Sequence, residues 1–197
     1  MVKGGDWAPG CQLVDMAFAA LHGIRPPALH YGFHQALQSV YPELRDAVKE
    51  LRTERQSVWF TGHGLGGALA MLAGSRFYFE EPKLLPDGVY TFGQPRTCER
   101  LLASAHNTAF RQRCYRFVNN NDIVPHLPPE PFFTHVEALR YFDADGRLHE
   151  AMPLAAGLKD RAKGVGADLF APETDAVKDH HLPNYLTAFE KSLAQST

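Results

Sequence analysis

The sequence predicts an α/β chain: a parallel sheet flanked by helices, extended towards its C-terminal end by an antiparallel hairpin. Three observations carry this. Short, nearly continuous apolar runs, as expected of strands buried on both faces, alternate with helical stretches. Those runs end on turns rich in glycine or asparagine. Two further strand-like segments flank Ala144-Asp145-Gly146, a hairpin signal.

Taken in order, Val14 to Leu21 reads as a short apolar helix closed by Gly23 and the Pro26-Pro27 stop. From Phe33 to Leu51 the residues Ala36, Leu37, Val40, Leu44, Val48 and Leu51 recur at helical spacing, with Pro42 as a candidate kink. Ser57 to Thr61 is the first buried strand, Gly62 to Gly67 a glycine-packed turn, and Ala68 to Phe79 a helix that begins with small residues. Val89 to Phe92 is a second strand ended by Gly93-Gln94-Pro95, and Tyr115 to Asn119 a third, ended by Asn-Asn-Asn-Asp. Glu137 to Phe142 and Arg147 to Glu150 form the hairpin. Residues 151 to 178 are irregular, and Leu182 to Ala194 is a closing helix.

The 197 residues fit one domain, 1–197, with one sizeable core; 45% are hydrophobic and 21% charged, an ordinary globular balance. A net charge of −2, with basic residues scattered among acids, argues against nucleic acid and against an electrostatic membrane anchor. Neutral or apolar ligands suit this balance better than polyanions. The three cysteines, Cys11, Cys98 and Cys114, are widely spaced and form no C-x-x-C pair, which argues against a zinc site or a disulfide scaffold. No apolar signal-peptide core is visible, so the default expectation is a cytoplasmic location.

The decisive segment is Thr61-Gly62-His63-Gly64-Leu65-Gly66-Gly67, between a strand and a helix. Gly62, Gly64 and Gly67 formally satisfy the dinucleotide fingerprint G-x-G-x-x-G. That mechanism needs an acid at the end of the next strand, which here ends Phe92-Gly93-Gln94, so a nucleotide-binding module is the outsider. The second reading is the nucleophile elbow G-x-S-x-G, whose small residues let strand and helix approach closely. Gly62 and Gly66 supply both flanks; only the centre departs, with Gly64 in place of serine.

Five segments decide between the two. Leu29-His30-Tyr31-Gly32-Phe33 resembles the V-H-x-G-F stretch of the class 3 (fungal-type) lipases, and Gly62 to Leu69 resembles their G-H-S-L-G-G-A-L elbow. Thr91 to Arg96 matches T-F-G-Q-P-R. Phe117-Val118-Asn119 with Asp122-Ile123-Val124-Pro125 resembles the segment holding the family's catalytic aspartate. Asp179-His180 followed by Asn184-Tyr185-Leu186 resembles the stretch with its catalytic histidine. The matched span, about 29 to 190, covers most of the chain.

The resemblance implies an α/β-hydrolase fold and a Ser-His-Asp apparatus for carboxylic-ester hydrolysis, in the chain order nucleophile, acid, base. It places Gly64 at the nucleophile position, Asp122 as the acid and His180 as the base. His181 is the rival base, and the plainer reading of Asp122 is a turn-forming residue. The N–H of Leu65 would be an oxyanion donor. His63 is expected to pack rather than react, and Gln94, Pro95 and Arg96 to fix the strand end. Phe132, Phe133 and Val14 to Leu21 could line an acyl pocket or lid, with core packing the plainer role. A metal site from His63, His126, His180 and His181 has no supporting spacing, and no cofactor is implied.

Two departures bear on activity. Gly64 cannot form an acyl-enzyme, and neither Thr61, on the strand, nor Ser75, far up the helix, offers a substitute hydroxyl. The family's strand ending F-R-G-T, just before Asp-Trp, has no counterpart: Asp6-Trp7 follows Lys3-Gly4-Gly5, so the sheet is expected to be reduced at its N-terminal side and to lack one oxyanion donor. A bare sheet edge invites self-association, so a homodimer is compatible with the sequence, as is transient contact with a lipid interface. The expectation is an ester-hydrolase scaffold, inactive or nearly so, with a lipid or small ester as ligand. The alternatives are a non-catalytic acyl- or ester-binding protein and a Ser-to-Gly variant of an active lipase.

Overall fold

The computed structural model describes residues 11–13, 28–128, 133–152 and 174–196. A short antiparallel ribbon of β1 (Cys11–Leu13) and β2 (Ala28–His30) leads into α1 (Tyr31–Leu51). The sheet follows, in the order β3 (Trp59–His63), β4 (Gly88–Phe92), β5 (Cys114–Asn119), β6 (Leu139–Phe142) and β7 (Leu148–His149). The first four strands are parallel, and β7 returns antiparallel to β6. The helices are α2 (Leu65–Glu80), α3 (Arg100–Ala109), the single turn α4 (Asp175–Lys178) and α5 (Leu182–Ser196).

Strand side chains alternate between the two faces, so one strand feeds two cores. Phe60 and Val89 join the larger core with Phe33, Leu37, Tyr41 and Val48 of α1, Met71 and Phe77 of α2, and Leu102 and Ala103 of α3. Phe117 and Phe142 face the other way, where Tyr185 and Ala188 of α5 complete a smaller core and Tyr90, Phe92 and Phe189 pack against it. There Phe92, Phe117 and Phe142 of adjacent strands stack at 5.3 and 6.0 Å, and Phe189 packs on all three.

Several sequence expectations are adjusted. Helix α1 starts at Tyr31 and runs through Pro42 without ending. Its buried face is Phe33, Leu37, Tyr41 and Val48, with Leu44 half-buried, while Val40 and Leu51 point outwards. The first strand extends to His63 and α2 begins at Leu65, leaving Gly64 alone as the turn. Gly62 is a strand residue, and it is a glycine because a Cβ there would lie 2.1 Å from the carbonyl oxygen of Gly66 and keep strand and helix from crossing. Helix α3 was not anticipated, although its buried Leu102, Ala103, His106 and Ala109 keep helical spacing. The first hairpin strand also joins β5 in parallel. The helix expected over Val14 to Leu21 lies outside the described residues, as does Phe132.

Between α2, α3 and β5 the larger core holds a buried polar chain. Ser75 Oγ donates to the Met71 carbonyl, so it accepts from His106 Nδ1–H at 2.9 Å, while His106 Nε2 faces Cys114 Sγ at 3.5 Å. Cys98 and Cys114 are buried free thiols, each pushed up to about 12 by burial. No helix among the described residues is long and apolar enough to cross a membrane.

Candidate active site

Parallel pairing places the C-terminal ends of β3, β4, β5 and β6 along one edge, where the turns after His63, Phe92 and Asn119 meet. In open α/β sheets this is where ligands bind. Gly64 follows β3 with φ 53° and ψ −121°, a conformation that side chains with a Cβ rarely adopt. Its N–H donates to the Phe92 carbonyl at 2.8 Å and its carbonyl accepts from Ala68, so the turn is fixed from both sides.

Asp122 is fully buried beyond the end of β5. Its Oδ1 accepts the Val124 N–H at 2.9 Å, and its Oδ2 accepts the Tyr185 hydroxyl at 2.6 Å. That hydroxyl in turn accepts the Asn119 N–H at 3.1 Å. Burial and the neighbouring Asp122 carboxylate push the Tyr185 phenol well above its ordinary value, so it stays a donor. His180 Nδ1 lies 3.0 and 2.9 Å from the two Asp122 oxygens. With the carboxylate accepting, Nδ1 is the donor, so in the neutral ring Nε2 carries the lone pair.

The His180 loop is tied to the Asp122 turn at three further points. Asn119 Nδ2 donates to the Asp179 carbonyl, and Asp179 Oδ2 accepts from Asn120 Nδ2 and the Asn121 N–H at 3.0 to 3.1 Å. Gly93, at φ 59°, lets the pair close over it: a Cβ there would stand 2.7 Å from Asp122 Oδ2 and 2.8 Å from His180 Nδ1. His63 stacks on the His180 ring at 4.4 Å and donates from Nε2 to the His180 carbonyl at 2.6 Å. Burial, foremost, lowers the His63 pKa and favours its neutral form. This is the packing role expected of His63.

The imidazole reaches Gly64. A Cβ built on Gly64 would lie 2.9 Å from His180 Nε2 and 3.3 Å from Cε1. The structure therefore brings Gly64, Asp122 and His180 together, and Leu65 opens α2 beside them with its N–H in the first, unsatisfied turn. His181 is exposed and takes no part in the Asp122 contacts. Ser75 is buried in the polar chain with His106, and Thr61 sits within β3. Gln94 is buried, accepting from Thr91 Oγ1; Arg96 pins the loop after Asp122 through the His126 and Pro128 carbonyls. Phe133 is buried. Tyr185 served in the sequence only as a landmark of the histidine stretch; the structure places its hydroxyl on Asp122, which no local pattern signals. Among the described residues no cluster of three or more His, Cys, Asp or Glu could hold a metal ion.

The fold and the turn-borne site define an α/β-hydrolase-like scaffold, and the chain belongs to the class 3 lipase family, whose sequence model, Lipase (class 3), matches residues 11–132. The lipase of Rhizopus niveus is 35% identical over 124 residues, 60% of this chain and 31% of that protein. Among solved structures, lipase II from Rhizopus niveus superposes with a TM-score of 0.53 at 27% identity, covering 68% of this chain and 50% of that one. The Rhizomucor miehei lipase propeptide complex gives 0.56 at 29% identity, covering 72% and 45%. The chain thus spans about a third of the curated relative and half or less of each solved chain.

Proposed function

We propose that this chain is an ester-hydrolase scaffold in which Asp122 and His180 hold the acid and base places, Gly64 holds the nucleophile place, and no acyl-enzyme forms. The observation that carries the reading is the 2.9 Å separation between His180 Nε2 and a Cβ built at Gly64. A serine there would present its hydroxyl to the imidazole that must take its proton. The ring, held by Asp122 and His63, would have to step back slightly to admit it.

The ligand is a neutral lipid or small ester. Leu65, Leu182 and Leu186, which flank the elbow and the His180 loop in sequence, are 36, 46 and 58% exposed and support contact with apolar acyl chains or a lipid interface. A homodimer through β3 is a further part of the proposal, because β3 pairs with β4 on one side and with nothing on the other among the described residues.

The test is Gly64→Ser. This variant should hydrolyse a short-chain p-nitrophenyl ester and take a covalent fluorophosphonate label, while the glycine chain takes none. Serine at this φ and ψ should cost about 1–3 kcal/mol of fold stability. A Gly64→Ser chain no more active than the same chain with His180→Ala, and unlabelled, would overturn the assignment.

A further inference from the structure

In this site the base is better preserved than the nucleophile. His180 Nδ1 is held by both Asp122 oxygens, Asp122 by Val124 and Tyr185, and the ring by the His63 stack, yet Nε2 makes no hydrogen bond among the described residues. It points at the place where position 64 lacks a side chain. The missing hydroxymethyl corresponds roughly to the volume of one water molecule, about 30 Å³ in the liquid. A water there would meet a polarised imidazole on one side and the first turn of α2, with the Leu65 N–H, on another.

We infer that the glycine chain is itself a slow hydrolase of activated esters, in which His180 delivers water directly to the carbonyl carbon without a covalent intermediate. The inference rests on the proposed reading of Asp122 and His180 as acid and base. As the water oxygen bonds to the carbonyl carbon, its proton passes to His180 Nε2, and the carbonyl oxygen takes negative charge beside the Leu65 N–H. The adduct then collapses. Its bond to the leaving oxygen breaks, the Nε2 proton goes to that oxygen, and carboxylic acid and alcohol depart with the imidazole restored. Asp122 faces the positive charge that His180 carries between these transfers. Esters with weakly basic leaving groups are the substrate class, since attack, rather than departure, then sets the rate.

The experiment is steady-state and pre-steady-state hydrolysis of p-nitrophenyl acetate by the unaltered chain, His180→Ala, His180→Gln, Asp122→Asn and Gly64→Ser, with circular dichroism to confirm folding. General-base delivery of water predicts a rate about 100-fold above the His180 variants and a comparable loss in Asp122→Asn. The reaction should show no p-nitrophenol burst and no acylated protein by intact mass. An unaltered chain no faster than buffer or than the His180 variants overturns the inference, and so does a burst with an acyl adduct on His180. If only Gly64→Ser is active and shows a burst, direct water delivery fails while the assignment of Asp122 and His180 stands. If no chain is active, both fail.

Discussion

Acid should weaken this protein through His106, a buried residue of α3. His106 is fully buried, and burial lowers its pKa from 6.5 to about 3. A histidine depressed in the folded state contributes stability that is present above its unfolded pKa and lost as pH falls towards its folded value. Near pH 4.5 the unfolded chain binds this proton and the folded chain does not, a difference of about 3 kcal/mol at 1.36 kcal/mol per unit. The informative variant is His106→Gln. Its amide can donate to Ser75 Oγ and accept from the Cys114 thiol, replacing both ring contacts without titrating. Near pH 7.5 it should cost about 1 kcal/mol for imperfect replacement of buried hydrogen bonds. Near pH 4.5 the order should reverse, with His106→Gln more stable by about 2 kcal/mol once the His106 proton no longer counts against it. Urea unfolding of both chains at the two pH values measures this, the remaining titrating groups being common to both. If the two proteins lose stability with acid in parallel, the argument that His106 is held neutral by burial is wrong.

Two substitutions probe the site's supports. Tyr185→Phe removes the hydroxyl from Asp122 Oδ2 and leaves the buried Asn119 N–H unpaired, so urea unfolding should show a loss of about 2–3 kcal/mol; a loss near zero would mean that water replaces the phenol. Gly93→Ala drives a methyl between Asp122 and His180 at a positive φ. In a Gly64→Ser background it should abolish ester hydrolysis and lower the melting temperature, and retained activity would show that the pair closes without this glycine.

The candidate site residues are more legible in the sequence than the contacts that support them. Gly62 is legible because a close strand-to-helix crossing tolerates no side chain there, and Gly64 because its positive φ disfavours one, whereas a Cβ on Gly66 would meet nothing within 4 Å, so close approach does not require that glycine. Asp122 and His180, 58 positions apart in the sequence, are legible only through their flanking segments, because the two meet only through tertiary folding. Tyr185 on Asp122 and Asp179 on the Asn119–Asn121 turn belong to the same tertiary event, and polar residues ahead of a helix look alike whether they clamp a loop or face solvent. The end of β3 lies beyond the sequence expectation because Gly62, a turn signal by composition, serves packing within the strand. Helix α3 was missed although its apolar spacing was present, and the parallel pairing of β6 with β5 could not be read, since a strand's own pattern does not name its neighbour.

The division into two cores has a kinetic consequence. His180 and Tyr185 belong to the segment that packs on the smaller core, whereas Gly64 opens the helix at the centre of the larger one. An opening that lifts α4 and α5 away would part His180 from Asp122 while β3, β4 and α2 kept their hydrogen bonds. The same opening would free the Asn119 and Asn121 amides, which are bonded to Tyr185 and Asp179, to exchange with solvent together. The site's lifetime is then the residence time of this C-terminal segment on the sheet, shorter than that of the fold that carries it.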